Sequence, residues 1–123
     1  MKISAVIETV ELFRPVGLRE LELIKESGFL RFPPRLPGQP FFYPVANIEY
    51  AREIARNWNT KDEGSGFQGH VLKFSVPADF LQRFQPQTVG ASRHVEYWIP
   101  SGQLEEFNAA LVGKIEVIES FTD

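Results

Sequence analysis

Two hydrophobic periods alternate along the chain, a period of two that marks strands and a period of three to four that marks helices. Residues 1–16 open with β-branched and apolar positions. Val10, Leu12 and Arg14 share one strand face, and Glu11 and Phe13 share the other. Pro15 has no N–H and is expected to end that ladder, leaving Arg14 at the strand's C-terminal end. Residues 17–27 predict a helix with Leu18, Leu21 and Ile24 as its apolar stripe and Gly28 just beyond it. Residues 28–44 hold Pro33, Pro34, Pro37, Pro40 and Pro44, a density that excludes helix. Phe29, Phe32, Phe41 and Phe42 in that stretch predict a fixed loop lying over the core. Phe41-Phe42-Tyr43 reads as a short strand stopped by Pro44. The pattern at 47–58 is the clearest helix. Asn47 suits its N-cap, Ala51, Ile54, Ala55 and Trp58 form the stripe, and Glu49/Arg52 and Glu53/Arg56 pair outside.

Residues 59–66, NTKDEGSG, read as a polar surface connection without the phosphate-cradling GxxxxGK[ST] pattern. At 67–76 Leu72, Phe74 and Val76 alternate with Lys73 and Ser75, which predicts a strand, with His70 on the surface or at an edge. A helical turn anchored by Phe80, Leu81 and Phe84 follows Pro77. Residues 85–92 read as a short strand and a turn around Gly90. The stretch 93–100, RHVEYWIP, alternates strictly. Val95, Tyr97 and Ile99 make a core face, while His94, Glu96 and Trp98 stand about 6–7 Å apart on the other. Residues 101–111 predict a helix capped by Ser101 with Leu104, Phe107 and Leu111 inward. Residues 113–121 predict a closing strand with Ile115 and Val117 inward. Mixed elements with no regular βαβ period and no GxGxxG predict an α+β fold: one compact domain over 1–123, a mixed, mostly antiparallel sheet and about three helices.

Composition narrows the function more than the fold. With 43% hydrophobic residues in 123, eleven of them Phe, the chain can bury an aromatic-rich core. It has no Cys, which excludes a disulfide framework, a thiolate zinc site and a Cys nucleophile. Two His predict no metal site. A net charge of -3 argues against nucleic acid as the main partner. No apolar run reaches the roughly 18 residues of a membrane span, and the N-terminus has no signal-like apolar region, so a soluble cytoplasmic protein is expected. A GxSxG elbow, HxH and HExxH are all absent from the sequence.

What remains is a strand-borne carboxylate, Glu96, and a strand-end guanidinium, Arg14, with aromatic residues Phe42, Tyr43 and Trp98 to border them. A guanidinium fork suits pyrophosphate oxygens. A carboxylate can stabilise an oxocarbenium-like centre and hydrogen-bond a ribose hydroxyl. Together these needs describe the breaking of a nicotinamide–ribose bond. The bland alternatives are an exposed strand-end Arg14 and a solvated Glu96 with Trp98 at the rim.

The chain resembles the small ADP-ribosyltransferase-like fold. The resemblance rests on Leu12-Phe13-Arg14-Pro15 ending the first strand, a helix running into Gly28, and Phe41-Phe42-Tyr43 before the 47–58 helix. Late in the chain it rests on Glu96-Tyr97-Trp98-Ile99-Pro100 before Leu104-Glu105-Glu106-Phe107-Asn108. It is similar, too, to small bacterial proteins labelled as ADP-ribosylation-related. In the branch that uses Arg, Ser and Glu, the resemblance implies that Arg14 contacts NAD and Glu96 is the catalytic carboxylate. NAD would be the substrate, with transfer to a protein acceptor or hydrolysis as the outcome. Phe41-Phe42-Tyr43 stands where that branch carries a Ser-Thr-Ser-like triplet. The His, Tyr and Glu branch fits less well, since no His lies on the first strand. His94 stands two residues before Glu96, where arginine-modifying members have Glu, so arginine is not the expected acceptor. The departure at 41–43 keeps a second class open: a non-catalytic domain that binds a nucleotide-like ligand or a protein.

The NAD reading demands that Arg14, Tyr43 and Glu96 line one cleft. Placement of Arg14 and Glu96 on opposite faces of the sheet would overturn the NAD reading.

Overall fold

The computed structural model describes residues 8–92 and 94–122; the expected strand segment 1–7 and Arg93 lie outside them. The elements run β1 (Thr9–Val16), α1 (Leu18–Glu26), β2 (Phe41–Phe42), α2 (Ile48–Asn57), β3 (Gln68–Pro77), α3 (Ala78–Leu81), β4 (Pro86–Thr88), β5 (Val95–Tyr97), β6 (Ile99–Pro100), α4 (Leu104–Ala110) and β7 (Glu116–Thr122). All the strand pairings are antiparallel and the helices are interspersed, so the fold is α+β. The main sheet has the order β1-β3-β7, with short pairs β2-β6 and β4-β5 beside it.

Val45 joins these pieces. It bridges Phe13 of β1 on one side and Glu96 of β5 on the other. Its N–H donates to Phe13 O at 2.8 Å, and the Phe13 N–H donates to Val45 O at 2.9 Å. Ala46 N–H to Val95 O and Tyr97 N–H to Pro44 O, both 2.9 Å, extend the pairing along β5. The strand-like ribbon 44–46 therefore lies between β1 and the β4-β5 hairpin.

Alternation sorts the core into two faces. Leu12 and Val16 point with Leu72, Phe74 and Val76 into a cluster closed by Leu21 and Ile24 of α1 and Phe107 of α4. Val45 and Val71 point to the other face, against Ala51 and Ala55 of α2 and beside Phe13. The two alanines allow α2 to lie almost on the sheet. A Cβ added at Gly69 would stand 2.1 Å from the Ala55 carbonyl oxygen.

Several local expectations hold for the stated reasons. The Asn47 side chain caps α2, accepting from the N–H groups of Glu49 (2.7 Å) and Tyr50 (3.2 Å). Gly28, at φ +75°, ends α1; its N–H reaches Lys25 O and the next N–H, from Phe29, reaches Ile24 O. The proline-rich loop is pinned by α4. Asn108 accepts from the Phe32 N–H at 2.8 Å and donates back to Phe32 O at 3.0 Å, and the Phe32 ring is fully buried.

Other expectations are corrected. Pro15 does not end β1; it pairs with Val71 inside the ladder. The N–H of Phe13 points toward Val45, away from β3, and so does the nitrogen of Pro15 two residues on. Trp58, read as core, is 59% exposed, because α2 closes at Asn57 and the backbone turns there. The 59–66 connection is two 3-10 turns that bury Asn59, Thr60 and Ser65. His70, read as a surface residue, is 8% exposed in the central strand. Ser101 opens a 3-10 turn and caps nothing with its side chain; α4 starts at Leu104. Ile115 is buried but precedes β7, and Val117 faces outward, since β7 bulges at Ile118 between the pairs Val71↔Glu119 and Leu72↔Val117.

Candidate functional site

Glu96 sits on β5 opposite Val45, so it shares the face of Phe13 and Val45 that α2 covers. Both its carboxylate oxygens accept hydrogen bonds. Tyr50 Oη, from the first turn of α2, donates to Oε2 at 3.1 Å, and Trp98 Nε1 donates to Oε1 at 2.9 Å. Burial, and then the Glu96 charge, push the Tyr50 hydroxyl up to about 12. The Tyr50 ring stacks on His94, centroids 4.3 Å apart at 18°, and His94 Nε2 lies 3.1 Å from Glu53 Oε2 of α2. Trp98 closes an aromatic triangle with Phe41 at 5.6 Å and Tyr43 at 6.1 Å. The His94/Glu96/Trp98 face is therefore tied to α2 and to the 41–43 segment.

Arg14 belongs to the other face. It alternates with Leu12 and Val16, and its guanidinium meets Glu20 of α1 through two bonds, Nε to Oε2 at 2.6 Å and Nη2 to Oε1 at 2.9 Å. Nη1 donates to Tyr43 O at 3.5 Å, and the guanidinium lies 4.6 Å from the centroid of the Phe42 ring. Every nitrogen of this side chain already has a protein partner, and the residue is 8% exposed. Phe42, read as bordering the site, is 1% exposed and holds Arg14 from behind.

The sheet ends where β1 runs out beside the 43–45 segment, and there the two faces meet. A cavity of about 230 Å³ is lined by Arg14, Pro15, Tyr43, Val45, Ile54 and Glu96. Arg14, Tyr43 and Glu96 thus line one cavity, as the NAD reading demands. Arg14 and Glu96 nonetheless leave the sheet on opposite faces, the placement expected to overturn NAD held between the two, so the sharing of one ligand by Arg14 and Glu96 is corrected. The physical reason is register: Glu96 aligns through Val45 with Phe13, and Arg14 is Phe13's neighbour in sequence. His94 and Trp98 reach the cavity only through Tyr50 and Glu96.

Chemically, the cavity offers an oriented carboxylate, a phenol ring and one edge of a guanidinium. Such a set can accept hydrogen bonds from hydroxyl groups and stabilise a cationic centre. Among the described residues, no group of three or more His, Asp or Glu is placed to hold a metal ion. Also among them, no helix is long and apolar enough to cross a membrane. Tyr50 and Glu20 are the site residues that the local pattern missed. Each touches a residue on another element, and helical periodicity carries no sign of that. No family model, curated protein or solved structure matches the chain.

Proposed function

We propose that the chain binds a nucleotide-type ligand at the Glu96 cavity, the alternative that does not need Arg14 and Glu96 on one face of the sheet. The observation that carries this reading is the lining of one cavity by Arg14, Tyr43 and Glu96. Glu96 would accept from ribose hydroxyls, and Tyr43 would flank the ring attached to that ribose. At about 230 Å³ the cavity is below the usual size of a ligand pocket, so it would take only part of a dinucleotide. Calorimetry with NAD and with ADP-ribose tests it. Binding of either, weakened tenfold or more by Glu96→Gln in a variant that keeps its melting temperature, supports the reading. No heat from either ligand removes it.

A second reading adds chemistry, favoured by the two donors that hold the Glu96 carboxylate in place. Here the nicotinamide–ribose bond breaks, nicotinamide leaves with the bonding electron pair, and Glu96 stabilises the cationic ribose carbon. Water, or a nucleophile on an acceptor protein, then bonds that carbon and gives up its proton to solvent. The engagement of Arg14 by Glu20 speaks instead for binding without turnover. Chromatography of nicotinamide released from NAD decides between them. Release that drops at least 100-fold in Glu96→Gln establishes the chemistry; binding with no release leaves the first reading alone.

A further inference from the structure

On the α1 side, beyond Arg14 and Pro15, a groove of about 540 Å³ adjoins the cavity. It is lined by Pro34 and Arg35 of the proline-rich loop, by Arg19 at the start of α1 and by Trp58. We propose that this groove holds a phosphorylated nucleoside, with phosphate oxygens on Arg19 and Arg35 and the base against the indole of Trp58. The proposal rests on the nucleotide reading of the Glu96 cavity and extends it: a dinucleotide whose ribose lies at Glu96 would pass the Arg14 edge into this groove.

Three features converge on that chemistry. Charge comes first. Arg14, Arg19 and Arg35 line the groove with one carboxylate, Glu20, and Arg14 uses both oxygens of that carboxylate. Arg19 has no hydrogen-bond or ion-pair partner among the described residues. Among the described residues Arg35 donates only through Nε, to Phe41 O at 2.9 Å, so its terminal NH₂ groups remain for a ligand. The second feature is strain on that charge. Burial, then the neighbouring Arg14, hold the Arg35 guanidinium below its usual value, a cost that a bound anion would offset. Third is the indole. Trp58 is 59% exposed at the end of a helix whose pattern would bury it, and it is the aromatic ring of this groove. An exposed indole in one groove with the Arg19 and Arg35 guanidiniums suits a planar base joined to phosphate, the base stacking on the ring.

The two tryptophans report the two places separately, Trp58 in the groove and Trp98 on Glu96. Indole N–H signals of ¹⁵N-labelled protein, assigned with Trp58→Phe, are followed during titration with ADP, inorganic phosphate, nicotinamide riboside and NAD. The expected result is that ADP moves Trp58 and leaves Trp98, and that Arg19→Gln weakens ADP at least fivefold. Arg19 is exposed and has no partner among the described residues, so this change should not disturb folding. Nicotinamide riboside should move Trp98 alone, and NAD should move both. If ADP leaves Trp58 unmoved while nicotinamide riboside moves Trp98, the groove proposal falls and the Glu96 reading survives. If NAD moves Trp58 and never Trp98, the Glu96 reading falls and the groove stands. Equal affinity for phosphate and ADP overturns the nucleoside assignment.

Discussion

Removing Arg14 tests whether that guanidinium is a structural element or a ligand contact. Arg14→Met keeps the aliphatic stem over Phe42 and deletes two charge-assisted bonds to Glu20. Each such bond is worth about 1.5–3 kcal/mol net, and the side chains are only 10% and 22% exposed, so water screens them weakly. The change also leaves the Glu20 carboxylate half-buried without its cation. Breaking one side of a buried pair costs about 3–5 kcal/mol, and the partial exposure of Glu20 places the expectation near the lower end, about 3 kcal/mol. For a chain of this length that corresponds to a melting temperature roughly 10 °C lower. Adding Glu20→Gln removes the orphaned charge and should restore about 1–2 kcal/mol. The double-mutant cycle, read from urea midpoints at neutral pH, should therefore give a coupling of about 1–2 kcal/mol plus whatever Glu20→Gln costs alone. Two outcomes refute this: a single change within about 0.5 kcal/mol of wild type, or two changes that simply add. Either would mean that Arg14 is free to hold a phosphate. If the coupling appears and the double variant still binds ADP, Arg14 is scaffold and Arg19 and Arg35 are the anion contacts.

Three further outcomes follow from named contacts. Gly69→Ala should cost about 3 kcal/mol or more, read by urea unfolding, because its Cβ would overlap the Ala55 carbonyl and α2 would have to lift. Of the three tyrosines, one should form tyrosinate only near pH 12, and Tyr50→Phe should delete that step from an absorbance titration. Since this hydroxyl's folded value lies above the unfolded value of about 10, its contribution to stability is complete below pH 10 and is lost as pH rises through 12. His70 is shifted the other way. Burial, then Lys25, hold its imidazole below the usual value of about 6.5, with Nδ1 on Ser120 and Nε2 on Gln68. Its contribution is present above about pH 6.5 and falls away as pH drops through the lowered value, so His70→Gln should flatten the acid side of a stability–pH curve.

Features that depend on a few neighbouring residues were legible in the sequence. The Asn47 cap, the glycine stop at Gly28, the stripe at Ala51 and Ala55, and the buried Phe32 inside a proline loop each follow from chemistry within a turn or two. The failures share a different cause. Pro15 could be placed in the ladder only by knowing which side of β1 β3 occupies. The fate of Trp58 depended on where α2 stops, and that of Val117 on a bulge opposite Val71 and Leu72. His70 looked like a surface residue because its partners, Gln68 and Ser120, supply polar bonds inside an otherwise apolar strand.

The candidate site divides along the same line. Alternation puts His94, Glu96 and Trp98 on one side, although the single strand expected over 93–99 is broken at Trp98 into β5 and β6, which pair with β4 and β2. Pairing Arg14 with Glu96 needed parity to be carried across three strands. That step runs through Val45, a single residue outside any named strand. With Phe13, Val45 and Glu96 in line, Arg14 must face α1 while Glu96 faces α2. One surface then cannot hold both a phosphate clamp and the carboxylate. The arrangement leaves two adjoining places: a small cavity with an oriented carboxylate, and a larger groove whose Arg19 and Arg35 have no carboxylate partner among the described residues. Their shared wall is Arg14 and Pro15, so a ligand that used both would have to bend around the end of β1. That geometry makes the joint between the two places the discriminating feature. A dinucleotide should gain over ADP and nicotinamide riboside taken separately only if its pyrophosphate spans that wall.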